Sequence, residues 1–226
     1  MNILYGIQGT GNGHLSRGEY IYNVLRKYSD NIDVLLSGDN YSLKPSMPIK
    51  YRNKGISFSI KNGKIDYLKT LSNLDLITSF LEQRDIPFNK YDLIITDFEP
   101  ITAWSSIRHK ISSIHISHQA SFLDENVPRP ESRSIIGEYI MKYFCPANDY
   151  IGLHYQNYST NISQPIISNK IQSCITELNN HITVYLSWYD DIYLINFFKK
   201  MPHLNFHIFS KNIDSPQHQS NCTLTP

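Results

Sequence analysis

Gly9, Gly11 and Gly13 stand at alternate positions and are followed at once by His14, in the stretch Gln8-Gly9-Thr10-Gly11-Asn12-Gly13-His14. This loop constrains the fold more than any other part of the chain. Before it lies a short apolar segment, residues 2–7 (NILYGI). After it, Gly18, Ile21, Leu25 and Tyr28 fall at helical spacing, with Val24 beside them, and residues 32–36 (IDVLL) are apolar again. Strand, glycine turn, helix and strand in that order predict a βαβ unit with parallel strands and a right-handed crossover. The glycines let backbone amides approach a ligand closely, and the helix N-terminus adds partial positive charge. That combination suits phosphate or another anion, so Gly9, Thr10, Gly11, Asn12 and Gly13 are the expected phosphate-binding residues.

The alternation continues along the chain. Pro45 and Pro48 break up residues 39–65, where 56–60 alternates before Asn62-Gly63, a tight-turn signal. Leu68, Leu71, Leu74, Ile77 and Leu81 predict a helix over 66–83. Residues 91–96 (YDLIIT) run apolar almost without alternation, as a strand covered on both faces does. Further elements are predicted as a helix over 101–109, a strand over 113–117, a helix over 134–144 and a strand over 150–154. The expectation is a doubly wound α/β domain with a mainly parallel, Rossmann-like sheet over residues 1–156. Residues 157–181 turn polar, rich in Asn, Ser, Gln and Thr, and read as a linker. Apolar periodicity returns at 182–187, 191–200 and 206–210, so residues 182–226 read as the opening of a second α/β domain. About 45 residues are too few for an independent α/β core, and that domain is therefore expected to be incomplete.

A net charge of +1 gives no broad attraction to nucleic acid or anionic lipid. Cys145, Cys174 and Cys222 are far apart and odd in number, which reads as reduced thiols in a cytoplasmic protein. No basic leader precedes an apolar core at the start, and no apolar run approaches the ~20 residues that span a bilayer. His109, His154, His181, His203, His207 and His218 fall in no ligand spacing, and no metal is expected.

The glycine loop matches neither Gly-x-Gly-x-x-Gly nor the lysine-bearing phosphate loop. His14 adds chemistry that those motifs lack. Parallel strands ending at Ile7, Thr96 and Ser117 would bring Gly9 to His14, Asp97 to Glu99, and His118 with Gln119 to one edge, where open α/β sheets bind ligands. Two histidines and two carboxylates there can support general-base chemistry on a hydroxyl. Each also has a purely structural reading. Asp97 suits the cap of the helix that Pro100 starts, Glu99 a solvated first-turn carboxylate, and His118 a satisfied polar group at a strand end.

Residues 2–17 (NILYGIQGTGNGHLSR) resemble the opening of GT-B glycosyltransferases. The resemblance is to a bacterial and archaeal family related to the enzyme that adds N-acetylglucosamine to a lipid-linked peptidoglycan precursor. Residues 91–104 (YDLIITDFEPITAW) and 116–122 (ISHQASF) are similar to further strand ends of that family, and the likeness extends over nearly the whole chain. It implies an acceptor-side domain of a hexosyltransferase that moves a sugar from a nucleotide-sugar donor, a UDP-sugar, to an acceptor hydroxyl without cofactor or metal. His14 is then the expected catalytic base, with Asp97 as second candidate or electrostatic partner, and Glu99, His118 and Gln119 are expected to contact the acceptor. A lipid-linked or cell-envelope glycan is among the expected acceptors, and peripheral contact with the inner face of the plasma membrane among the expected settings. The family's donor-binding glycine turn has no counterpart after Ser187, so the expectation extends to a truncated, inactive fragment. Two other readings stay open: a non-catalytic sugar- or nucleotide-binding domain, and a dinucleotide-binding oxidoreductase domain.

Overall fold

β1 (Ile3–Gln8) is buried along all six residues, which is what a strand flanked by partners and covered on both faces requires. The computed structural model describes residues 1–55, 60–61, 64–65, 85–186 and 189–226, with 60–61 and 64–65 as backbone alone. They fall in two compact units, Met1–Ser57 with Leu74–Ser173, and Phe58–Asn73 with Cys174–Pro226.

The first unit is built on a seven-stranded sheet. Its strands are β1, β2 (Ile32–Ser37), β3 (Tyr51–Asn53), β6 (Leu93–Asp97), β7 (Ser112–Ser117), β8 (Asp149–Leu153) and β9 (Ile162–Ser163). The spatial order is β3-β2-β1-β6-β7-β8-β9, and every pairing is parallel. The Rossmann-like, doubly wound α/β class expected from the sequence is the fold observed. Chain order reverses between β1 and β6, so the crevice above their C-terminal ends is the topological switch point of the sheet.

Helix α1 (Asn12–Leu25) covers one face, where Leu15, Ile21 and Tyr22 pack with Ile3, Tyr5, Ile7, Val34, Leu36 and Ile95. It ends three residues before Tyr28, which is 81% exposed rather than on the buried face. Helix α2 (Pro100–His109) lies against the other face, where Leu4, Leu35, Ile94 and Ile101 form a second core. Gly6 sets the approach of α2, because a Cβ there would stand 2.1 Å from Thr102 Oγ1 and 2.9 Å from Thr102 Cβ. Gly6→Ala is therefore expected to cost about 1–3 kcal/mol through overpacking, read as a lower urea midpoint.

Helix α3 (Ile135–Tyr143) buries none of its residues. Residues 157–181, expected as a linker, include β9, which adds the seventh strand, and the short helix α4 (Asn169–Gln172). Two residues of pairing are too few to leave a periodic signal. The helix expected over 66–83 lies outside the described residues, as do most of 56–60 and Asn62-Gly63. Next to them, β4 (Ile60–Lys61) and β5 (Lys64–Ile65) pair antiparallel.

The second unit holds β10 (Ile182–Val184), α5 (Asp191–Phe198), β11 (Phe206–Phe209), β12 (Gln217–Gln219) and β13 (Cys222–Thr225). β10, β11 and β13 run parallel in that spatial order, and β12 pairs antiparallel on β13. Val184, Leu194, Ile195, Phe198, Phe206, Ile208, Cys222 and Leu224 form its core. The polar stretch before Pro226 is thus a hairpin whose last strand buries Cys222 and Leu224 on alternate positions.

Candidate functional site

The glycines after β1 have unequal duties. A Cβ at Gly9 would meet Gly38 O at 2.7 Å and Ser37 O at 2.8 Å, so only glycine lets this turn pass the end of β2. Its N–H donates to Ser37 O and its carbonyl accepts from Asn40 N–H, which commits Gly9 to the fold. The Asn12 side chain is likewise used internally. Its Oδ1 accepts from Ser42 and Leu43 N–H, and its Nδ2 donates to Ser42 Oγ at 2.8 Å. Open space surrounds Gly11 and Gly13, and no side chain caps the start of α1. Of the five residues expected to bind phosphate, Gly11 and Gly13 thus leave room at a helix start for an anion to approach backbone amides.

His14 and Arg17 sit one turn apart on α1 and both reach Asp97 at the end of β6. Asp97 pairs in register with Ile7 of β1, so its side chain faces α1. The distance from His14 Nδ1 to Asp97 Oδ1 is 2.8 Å. Arg17 donates Nε–H to Oδ2 at 2.8 Å and Nη2–H to Oδ1 at 2.6 Å. Asp97 is wholly buried, Arg17 nearly so, and the His14 side chain is 13% exposed. Burial alone would raise the Asp97 pKa, but the charges of Arg17 and then His14, with their hydrogen bonds, outweigh it and hold the value at about 2.

An ionised Asp97 can only accept, so His14 presents Nδ1–H to it. The opposite tautomer would aim a lone pair at a carboxylate oxygen 2.8 Å away. In the neutral ring Nε2 then carries the lone pair, and it has no hydrogen-bond partner among the described residues. A neutral imidazole oriented by a buried carboxylate is the arrangement of a general base.

Glu99 has a different place from the one expected. Phe98 adopts a left-handed backbone (φ 53°) and packs beside His115 and Phe144, with ring centroids at 6.0 and 4.9 Å. This turn carries Glu99 over the start of α2, where it is wholly buried as the N-cap. Its carboxyl accepts from Ile101 N–H, Thr102 N–H, Thr102 Oγ1 and Ser37 Oγ, at 2.6–3.0 Å. Burial raises its pKa against those hydrogen bonds. With its oxygens so occupied it is not a solvated first-turn carboxylate, and the contact with an acceptor expected of it would have to replace one of these hydrogen bonds. The cap that Asp97 might have supplied is Glu99, because Pro100 starts the helix after it.

His118 and Gln119 follow β7, on the same sheet edge. His118 donates Nδ1–H to Leu153 O at 2.8 Å, and its pKa is lowered by desolvation despite that bond. It is exposed and lies within electrostatic reach of Arg17, Asp97 and His14. Gln119 is half-buried, with Oε1 buried and without a partner. His115, on β7 itself, is wholly buried, and burial lowers its pKa to about 4.

Sequence reasoning passed over Arg17. The signal was present: a cation three residues after His14 on a helix shares its face and reaches the same carboxylate. No group of three or more His, Cys, Asp or Glu among the described residues is arranged to hold a metal.

The family model for glycosyl transferase family 1 matches residues 1–226. Comparison with curated proteins returned no match. Among solved structures, the chain is similar to UGT89C1 of Arabidopsis thaliana complexed with UDP, at 12% identity and a TM-score of 0.48, covering 93% of this chain and 65% of that one. It is similar to MurG of Acinetobacter baumannii at 12% identity and a TM-score of 0.45, over 93% of this chain and 60% of that one. The glycosyltransferase SnogD from Streptomyces nogalater is 10% identical, with a TM-score of 0.41 over 100% of this chain and 73% of that one. The chain thus spans less than two thirds of the length of the first two.

Proposed function

The chain belongs to glycosyl transferase family 1, and on that premise we propose that its first unit is the acceptor side of a hexosyltransferase that uses a nucleotide-sugar donor. The observation that carries the reading is the pairing of His14 Nδ1 with the buried, ionised Asp97, which leaves Nε2 unpartnered at the switch point of the sheet.

In the proposed step, Nε2 of His14 takes the proton of an acceptor hydroxyl as that oxygen attacks the anomeric carbon. A C–O bond forms to the acceptor while the bond from the anomeric carbon to the diphosphate oxygen breaks. The nucleoside diphosphate leaves with the electron pair, and a single displacement of this kind inverts the anomeric carbon. Asp97 stabilises the imidazolium while it lasts. The open amides around Gly11 and Gly13 receive a phosphate of donor or acceptor, and His118 and Gln119 contact the acceptor.

The donor is proposed to be a UDP-hexose, held chiefly by a second domain to which residues 182–226 contribute. A lipid-linked or cell-envelope glycan is the proposed acceptor. Ile135, Ile136 and Tyr139, exposed on α3, offer an apolar surface that suits a lipid-linked acceptor at the cytoplasmic face of a membrane. No described helix is long and apolar enough to cross a membrane.

The test is release of UDP from UDP-glucose, UDP-galactose and UDP-N-acetylglucosamine, with and without hydroxyl acceptors. Acceptor-dependent release is expected, and its absence across the panel counts against the reading. Gly13→Ala refines it. Removing a helix glycine should stabilise the chain by about 0.5–1 kcal/mol. It should also raise KM for the phosphorylated substrate by about tenfold, through one weakened charge-assisted hydrogen bond. Higher stability with unchanged KM would show that no phosphate oxygen packs against the α-carbon of Gly13.

A further inference from the structure

We infer that Arg17 is a positioning residue for the His14–Asp97 pair: its fork holds the carboxylate that fixes which imidazole nitrogen carries the proton. The transfer reading is needed only for the consequence on turnover. Proton positions on His14 are readable without a substrate.

Geometry carries the inference. Arg17 holds both oxygens of Asp97, Nε to Oδ2 at 2.8 Å and Nη2 to Oδ1 at 2.6 Å, so the carboxylate cannot rotate away from the imidazole. Oδ1 is thereby shared between Arg17 Nη2–H and His14 Nδ1–H. Nη2 also lies 3.0 Å from Nδ1. Both are donors, so that approach is enforced by the carboxylate between them and is not itself a hydrogen bond.

The experiment is imidazole nitrogen NMR on the full chain, with the His14 signals assigned by their loss in His14→Ala. In the parent protein Nδ1 is expected to carry the proton and Nε2 to be bare at neutral pH. In Arg17→Gln the ring should become a mixture of tautomers. If transfer is measurable, kcat should fall with KM nearly unchanged, a split that mere loss of packing does not produce. Arg17→Lys keeps the charge without the fork, so its tautomer should also become mixed. It also answers the question if Arg17→Gln fails to fold. A pure Nδ1–H tautomer in either variant overturns the inference. Loss of transfer in His14→Ala with an unchanged tautomer in Arg17→Gln would remove only the role of Arg17. A mixed tautomer with transfer indifferent to His14 would uphold that role and remove the transfer reading.

Discussion

Asp97→Asn is expected to cost about 3–5 kcal/mol of stability and to lower turnover by about 10²–10⁴-fold. The stability loss comes from Arg17, whose nearly buried guanidinium would keep its place but lose its counter-charge. The turnover loss comes from His14, because an amide can offer N–H to Nδ1 and so stabilise the tautomer with no lone pair on Nε2. The two effects separate in a double variant. Adding Arg17→Gln removes the unpaired buried charge and should return part of the stability, but none of the turnover. Urea melts of the single and double variants, set beside their rates, check both statements.

The same group gives the pH dependence of folding. Asp97 titrates at about 2 in the folded chain against an ordinary 3.8. A lowered folded value means that its stabilisation is fully present above pH 4 and is lost as pH falls through 2. The amount is about 2 kcal/mol. In Asp97→Asn this part of the acid sensitivity should vanish.

Much of this arrangement could be read in the residues. The apolar runs around Ile3, Ile32 and Leu93 are buried almost without a break, and such strands announce a parallel sheet. Once the strands are parallel, His14 and Asp97 must share an edge, and register with Ile7 turns Asp97 toward α1. What was not legible depends on contacts rather than period. β3 and β9 have three and two residues, too short for any pattern. The α1 spacing predicts a helix on to Tyr28, but the helix stops at Leu25 and leaves that ring in solvent. Asp97 and Glu99 stand two residues apart, and the cap read for the first falls to the second: Glu99, not Asp97, caps the helix. The left-handed turn at Phe98 sends one to the imidazole and the other into a helix cap, and no propensity for Phe signals that conformation. Arg17 carries no motif of its own, and only the parallel pairing that brings Asp97 beside α1 gives it a partner.

His14→Ala carries the second large effect. The side chain is mostly buried but contributes one donor to a carboxylate that Arg17 already holds at both oxygens, so unfolding should change little. Loss of the base should instead fall on the chemical step, by about 10²–10⁴-fold in kcat with KM nearly unchanged, since the proton is transferred only in the transition state. The direct measurement is the initial rate of acceptor-dependent UDP release by the parent chain and by His14→Ala at matched fold, verified by circular dichroism. Release that drops to background in His14→Ala is the predicted result. Equal rates in the two proteins would contradict the assignment of His14 and Asp97 as the base of a sugar transfer.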